Sequence, residues 1–187
     1  VGGKNASLGE MFCQLVPVGI LVPDGFAVTS EAYGAFLDEN NLRAPLDDLL
    51  AQLDKTDFSN LESIGAQART LILNAALPKA VEAAIGQAYR DLCAREGADI
   101  SLAVRSSATA EDLPTASFAG RLESYLNIRG EQELLRAVHR CFSSLFTDRA
   151  IKYREDQGFG NRNVLLSVGV QKMVRSDLAA SGVAFTL

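Results

Sequence analysis

Arg105 closes the apolar run Leu102-Ala103-Val104 and leads into Ser106-Ser107-Ala108-Thr109-Ala110, a stretch of hydroxyls and small side chains. A guanidinium at a strand end beside such a loop offers rigid bidentate donors that suit phosphate oxygens. Lys4 is the second candidate. It follows Gly2 and Gly3 at the start of a helical pattern, where the positive end of the helix dipole favours phosphate and glycines let the backbone come close. The pattern is not a P-loop, because Asn5 stands where G-x-x-x-x-G-K-[ST] needs a hydroxyl and the upstream glycine is missing. Each residue also has a plainer reading. Lys4 could be a solvated lysine by a helix start. Arg105 could pair with Glu111 or Asp112, and surface pairs of that kind contribute only about 0–1 kcal/mol.

The elements that must position these residues begin with a helix over Asn5–Val16, with Asn5 as cap and Leu8, Met11, Phe12 and Leu15 on one face. Pro17 and Gly19 end it, and Gly25–Thr29 reads as a short strand. Ser30 then caps a helix carrying Ala32, Phe36 and Leu37. Residues 45–95 predict three helices. Leu46, Leu49, Leu50 and Leu53 belong to the first, and Leu61, Ile64, Ala68, Leu71 and Ile72 to the second. The third opens at Pro78 and buries Val81, Ile85, Tyr89 and Leu92. From Ile100 the texture changes: Ile100–Arg105 and Phe118–Ile128 read as strands, followed by an amphipathic helix over Glu131–Phe142 and another through Leu145, Ala150, Ile151 and Tyr153. After the turn-rich Gly158–Asn163, Val164–Val174 and Ala179–Leu187 read as strands that form a hairpin or lie as neighbours about Arg175-Ser176-Asp177. No internal repeat is visible.

Composition bounds the function. A chain of 187 residues that is 48% hydrophobic and 22% charged can bury a sizeable core, as one or two domains, and does not read as disordered. The formal net charge of −5 argues against a nucleic-acid partner, and no apolar run approaches the roughly 20 residues that span a bilayer. Cys13, Cys93 and Cys141 are odd in number and form no C-x-x-C pair, so they read as reduced thiols. His139 is the only histidine, which leaves no zinc-ligand pattern. With no signal peptide read at the start, a cytoplasmic protein is expected.

The string Leu102–Pro114 followed by Ser117-Phe118-Ala119-Gly120 resembles the nucleotide-binding domain of the phosphoenolpyruvate synthase (pyruvate, water dikinase) family. Val1-Gly2-Gly3-Lys4-Asn5-Ala6-Ser7-Leu8-Gly9-Glu10-Met11 is similar to that family's N-terminal lysine motif. Val22–Thr29, Ser144–Ala150, Gly169–Asp177 and Ser181–Thr186 continue the likeness in order. Residues 40–100 carry only helical patterning.

The resemblance implies an α/β (α+β), ATP-grasp-like nucleotide-binding domain, incomplete at its C-terminus. Residues 1–107 and 162–187 would form one lobe with a helical insert, and 108–161 a smaller lobe. It makes Lys4 and Arg105 the catalytic and phosphate-binding residues, and Gly120 and Ser124 part of the loop that covers the triphosphate. By itself Gly120 reads equally as a glycine in a tight hairpin. Two positions depart from the family pattern: Arg121 stands where glutamine is common, and Ser124 replaces threonine but keeps the hydroxyl. The resemblance puts Gln171, Met173 and Val174 beside the adenine, although by composition Met173 and Val174 read as core residues.

The implied reaction converts ATP, pyruvate and water to AMP, phosphoenolpyruvate and phosphate. It needs Mg2+, with ligands expected beyond Leu187, and a phosphohistidine on a separate domain. His139, on an amphipathic helix, is not that carrier. ATP, pyruvate and the phosphohistidine domain are the implied partners, a homodimer is the expected assembly of the full-length enzyme, and this chain alone is expected to be inactive. An antibiotic-phosphorylating dikinase of the rifampin phosphotransferase kind is an alternative within the fold. A non-catalytic module is another, and the presence of both Lys4 and Arg105 argues against it.

Overall fold

The computed structural model describes residues 1–98, 100–108, 123–158, 164–178 and 180–182. Four strands, β1 (Gly25–Val28), β2 (Leu102–Ala108), β3 (Ser124–Ile128) and β4 (Leu166–Lys172), make one antiparallel sheet in the order β1-β4-β2-β3. Seven α-helices accompany it among the described residues: α1 (Gly3–Leu15), α2 (Ser30–Glu39), α3 (Arg43–Leu50), α4 (Leu61–Asn74), α5 (Lys79–Glu96), α6 (Glu131–Ser143) and α7 (Asp148–Asp156). The fold is thus mixed α/β. None of these helices is long and apolar enough to cross a membrane.

Because side chains alternate along a strand, the register sorts the sheet into two faces. Leu102, Val104, Ser106 and Ala108 of β2 share one face with Lys172, Val170, Val168 and Leu166 of β4 and with Phe26 and Val28 of β1. Val104, Val168, Val170 and Leu166 are fully buried there, in one core with Phe36, Leu134, Phe142 and Phe146 of the helical side. Burying a side chain of this size is worth about 1.5–3 kcal/mol. Tyr33 and Phe36 both meet the Phe142 ring, at centroid distances of 5.0 and 5.3 Å. The opposite face carries Ala103, Arg105 and Ser107 of β2, Ser167, Gly169 and Gln171 of β4, and Gly25 and Ala27 of β1.

The three helices predicted within 45–95 are α3, α4 and α5, and their buried positions include Leu46, Leu49, Ile64, Ala68, Ile72, Val81, Ile85 and Leu92. Pro78 stands immediately before α5, and Pro45 is accommodated in the first turn of α3. α7 is capped by Thr147 Oγ, which accepts from the Ala150 N–H. On the buried side of α7, Arg154 donates to the carbonyls of Leu145 and Ala150 at 2.8 and 3.3 Å. Burial brings its pKa down to about 10. His139 belongs to the framework: Nε2 lies 2.7 Å from the Ile72 carbonyl and joins α6 to α4. The thiols are free, Cys13 exposed and Cys141 buried.

Several boundaries differ from expectation. β2 does not stop at Arg105 but runs three residues further to Ala108. Ser106 and Ser107 stay paired with β4, and Ser106 gives both its N–H and its hydroxyl to the Glu123 carbonyl. α2 starts at Ser30 itself, with Thr29 at the cap position. Leu53 is buried in the turn after α3 rather than in the helix. The stripe on α1 is not a core stripe, since Met11 and Phe12 are 45% and 40% exposed and Gly3 is the helix's buried residue. β4 ends at Lys172, and the Met173 N–H donates to the Ser101 carbonyl at 2.8 Å.

Residues 118–122 of the expected strand Phe118–Ile128, residues 159–163 of the turn, and Ala179 with 183–187 of the last expected strand lie outside the described residues. Within the expected smaller lobe, β3 pairs with β2, and α6 and α7 share the core formed with residues 1–107.

Candidate functional site

α1 lies across the small-residue face of the sheet, and glycines let it come close. A Cβ on Gly169 would overlap Asn5 Oδ1, and one on Gly2 would overlap Ser107. An isolated glycine inside an apolar strand, as in Val168-Gly169-Val170, is the sequence mark of such an approach. The N–H groups of Asn5 and Ala6 both donate to the Gly2 carbonyl at 3.0 Å, which starts the helix at Gly3 with Gly2 as its cap residue. Asn5 is therefore not the cap. Its Nδ2 donates instead to Ser167 Oγ at 2.8 Å, as does the Gly2 N–H at 2.8 Å.

This docking brings Lys4 and Arg105 to one cleft. Lys4 is exposed at the second position of α1, and Arg105 is the exposed residue of a strand that is otherwise buried. Both line a cavity of about 350 Å³ whose other walls include Ser7, Met11, Gly169 and Gln171. Arg105 is opposite Gly169 across β4 and opposite Ser124 across β3, so the Ser124 side chain stands on the same face. Among the described residues Arg105 makes no ion pair. Among the described residues no aspartate or glutamate lines the cavity, so their lining is cationic on a chain whose formal net charge is −5. A concave site with one sign of charge concentrates counter-ions of the other. The positive end of the α1 dipole adds to it.

The remaining expected site residues are less drawn together. Gln171 is half-buried at the cleft wall, with Nε2 donating to the Pro23 carbonyl at 3.1 Å. Met173 is half-buried and Val174 is 64% exposed, so neither is the core residue that composition predicts. Chain beyond the last β4 pair has no partner strand to cover it among the described residues. Gly120 and Arg121 lie outside the described residues. A second cavity of about 270 Å³ opens on the other side of α1, lined by Leu8, Phe12, Cys13, Asp24 and Phe26. Its carboxylate is engaged, because Asp24 accepts from the Gly25 N–H and from Arg95, both at 2.7 Å. Among the described residues no three His, Cys, Asp or Glu side chains converge as a metal site.

Comparison with known proteins bears on this cationic cleft. The family described as "Pyruvate phosphate dikinase, AMP/ATP-binding domain" matches residues 1–187. The phosphoenolpyruvate synthase of Synechocystis sp. is 53% identical over 192 residues, covering 100% of this chain and 24% of that protein. Those of Neisseria meningitidis and Escherichia coli are 54% and 50% identical, again over 100% of this chain and 24% of theirs. The chain therefore spans about a quarter of the length of these relatives.

Proposed function

Since the chain belongs to the pyruvate phosphate dikinase AMP/ATP-binding domain family, we propose that it is the ATP-binding part of a phosphoenolpyruvate synthase. That enzyme converts ATP, pyruvate and water to AMP, phosphoenolpyruvate and phosphate. The observation that carries the reading is the shared cleft, where Lys4 and Arg105 face one cavity with no carboxylate in its lining among the described residues. Its donor set suits a polyphosphate: a flexible ammonium as a point charge, a planar guanidinium for bidentate contact, and a helix start. As the β-phosphoryl group leaves ATP for a histidine of another domain, the two cations neutralise the charge that redistributes over the phosphate oxygens. Ser124 gives a hydroxyl on the same face as Arg105, and Gly120, outside the described residues, is assigned with it to the triphosphate. The adenine lies toward Gln171, Met173 and Val174, where backbone groups read the base edge.

Around this cleft the domain takes an ATP-grasp-like arrangement. Residues 1–107 and 162–187 supply one lobe, and 108–161 much of a smaller one. Mg2+ would accompany ATP, and among the described residues no cluster of three His, Cys, Asp or Glu side chains makes its site. Pyruvate and the phosphohistidine domain are the partners within the full-length enzyme. A cytoplasmic homodimer completes the reading.

The test uses a full-length enzyme carrying this sequence. Charge-assisted bonds to phosphate are worth about 1.5–3 kcal/mol, so Lys4→Ala or Arg105→Ala should slow the ATP half-reaction at least about tenfold. The pyruvate half-reaction should stay near normal. Isotope exchange between ATP and AMP with phosphate reads the first, and exchange between pyruvate and phosphoenolpyruvate the second. No loss in the first assay would make the two cations structural.

A further inference from the structure

We propose that Ser167 is a positioning residue for this nucleotide site, whose hydroxyl sets the separation between the helix start that carries Lys4 and the strand that carries Arg105. The proposal rests on the reading of Lys4 and Arg105 as phosphate ligands. Ser167 lies at the centre of the sheet and is fully buried. A serine hydroxyl has one donor and two acceptor positions, and all three are used. It accepts from the Gly2 N–H and from Asn5 Nδ2, both at 2.8 Å, and donates to the Ser107 carbonyl at 3.2 Å. Gly2 and Asn5 flank Lys4, and Ser107 is two residues beyond Arg105 on the same face. One oxygen thus ties the Gly2 backbone before the lysine and the Asn5 side chain after it to the strand of the arginine.

Hydrogen bonds, more than apolar packing, hold the start of α1 to the sheet. Its apolar side chains Met11 and Phe12 are exposed, and Gly3 is its buried residue, so apolar packing contributes little to its placement. Gly169 leaves room for the Asn5 amide directly beside the hydroxyl. Loss of the hydroxyl strands the buried Gly2 N–H and frees the Asn5 amide. The helix start can then shift against β4 while the rest of the fold, built on the other face, stays in place.

The experiment compares Ser167→Ala, Asn5→Ala and the double variant in a full-length enzyme carrying this sequence, with Lys4→Ala and Arg105→Ala alongside. A misplacement of about 1 Å can cost about a hundredfold in rate. Ser167→Ala is therefore expected to lower kcat of the ATP half-reaction at least about tenfold, with KM for ATP within about threefold of the parent. The pyruvate half-reaction should not change. Asn5→Ala should act in the same direction, and the double variant should be no slower than the slower single, since both remove one latch. An ATP half-reaction within about twofold of the parent for Ser167→Ala overturns the proposal, as does additivity of the two losses. Equal loss in both half-reactions also overturns it, because that is the mark of a purely structural serine. If Lys4→Ala and Arg105→Ala are slow while Ser167→Ala is normal, only the positioning role fails. If neither cation variant is slow, the nucleotide reading falls and the role of Ser167 falls with it.

Discussion

The two faces of the sheet are built on opposite terms. The helical side places valines and leucines from three strands against Phe36, Phe142 and Phe146 and excludes water almost completely. The α1 side uses glycine, alanine and serine, keeps a single exposed cation on β2, and holds its helix by hydrogen bonds. Large side chains make stability. Small ones leave room for a ligand but give up the packing that would fix a helix by itself. The stability of this chain and its placement of charge therefore reside on different sides of one four-stranded sheet.

The widest test of that division is Phe142→Ala. Removing a fully buried ring at the meeting point of Tyr33 and Phe36 should cost about 3–5 kcal/mol, read by denaturant unfolding. On the other face, Gly169→Ala should cost less stability, about 1–3 kcal/mol, because the clash falls on the Asn5 amide rather than on the core. Its activity should suffer more than its stability, and adding Asn5→Ala should return part of both. If Gly169→Ala matched Phe142→Ala in stability, the faces would not be separable. Arg105→Ala should change the unfolding free energy by no more than about 0.5 kcal/mol while removing much of the ATP half-reaction. The smallest effect is expected at Leu21, which is 95% exposed. Leu21→Ser should leave unfolding unchanged within about 0.5 kcal/mol, and a larger loss would mean that the α1 side contributes apolar packing after all.

How far the sequence could be read follows the same division. On the helical side, periodicity located α3, α4, α5 and α6 and most of their buried positions, because burial there is the cause of the period. On the α1 side the same periodic signal misled. Leu8, Met11, Phe12 and Leu15 recur at helical spacing, yet the helix docks through Gly2, Gly3 and Asn5, and the spacing of apolar residues does not encode which face meets the sheet. The extension of β2 through Ser106 and Ser107 was hidden because buried serines look like loop residues until their partners are known. Lys4 and Arg105 were legible as candidates from their settings, and their convergence needed the register that puts Arg105 opposite Gly169. Ser167 carried no mark of its own, since one serine in an apolar strand is ordinary. Gly169, two residues on, was the legible hint.

The sheet order has a consequence in time. β4 is the last strand in the described sequence and sits between β1 and β2, pairing with residues that precede it by about 60 to 146 positions. During synthesis β1 and β2 wait without their common neighbour while helices α2 to α6, which draw on local contacts, are already available to form. Pairing at such separations is slow because loop closure must precede any gain. Among the described strands, the last to pair is then Leu166–Lys172, which enters between two waiting edges. It completes the core on one side and, on the other, delivers the oxygen to which the start of α1 attaches.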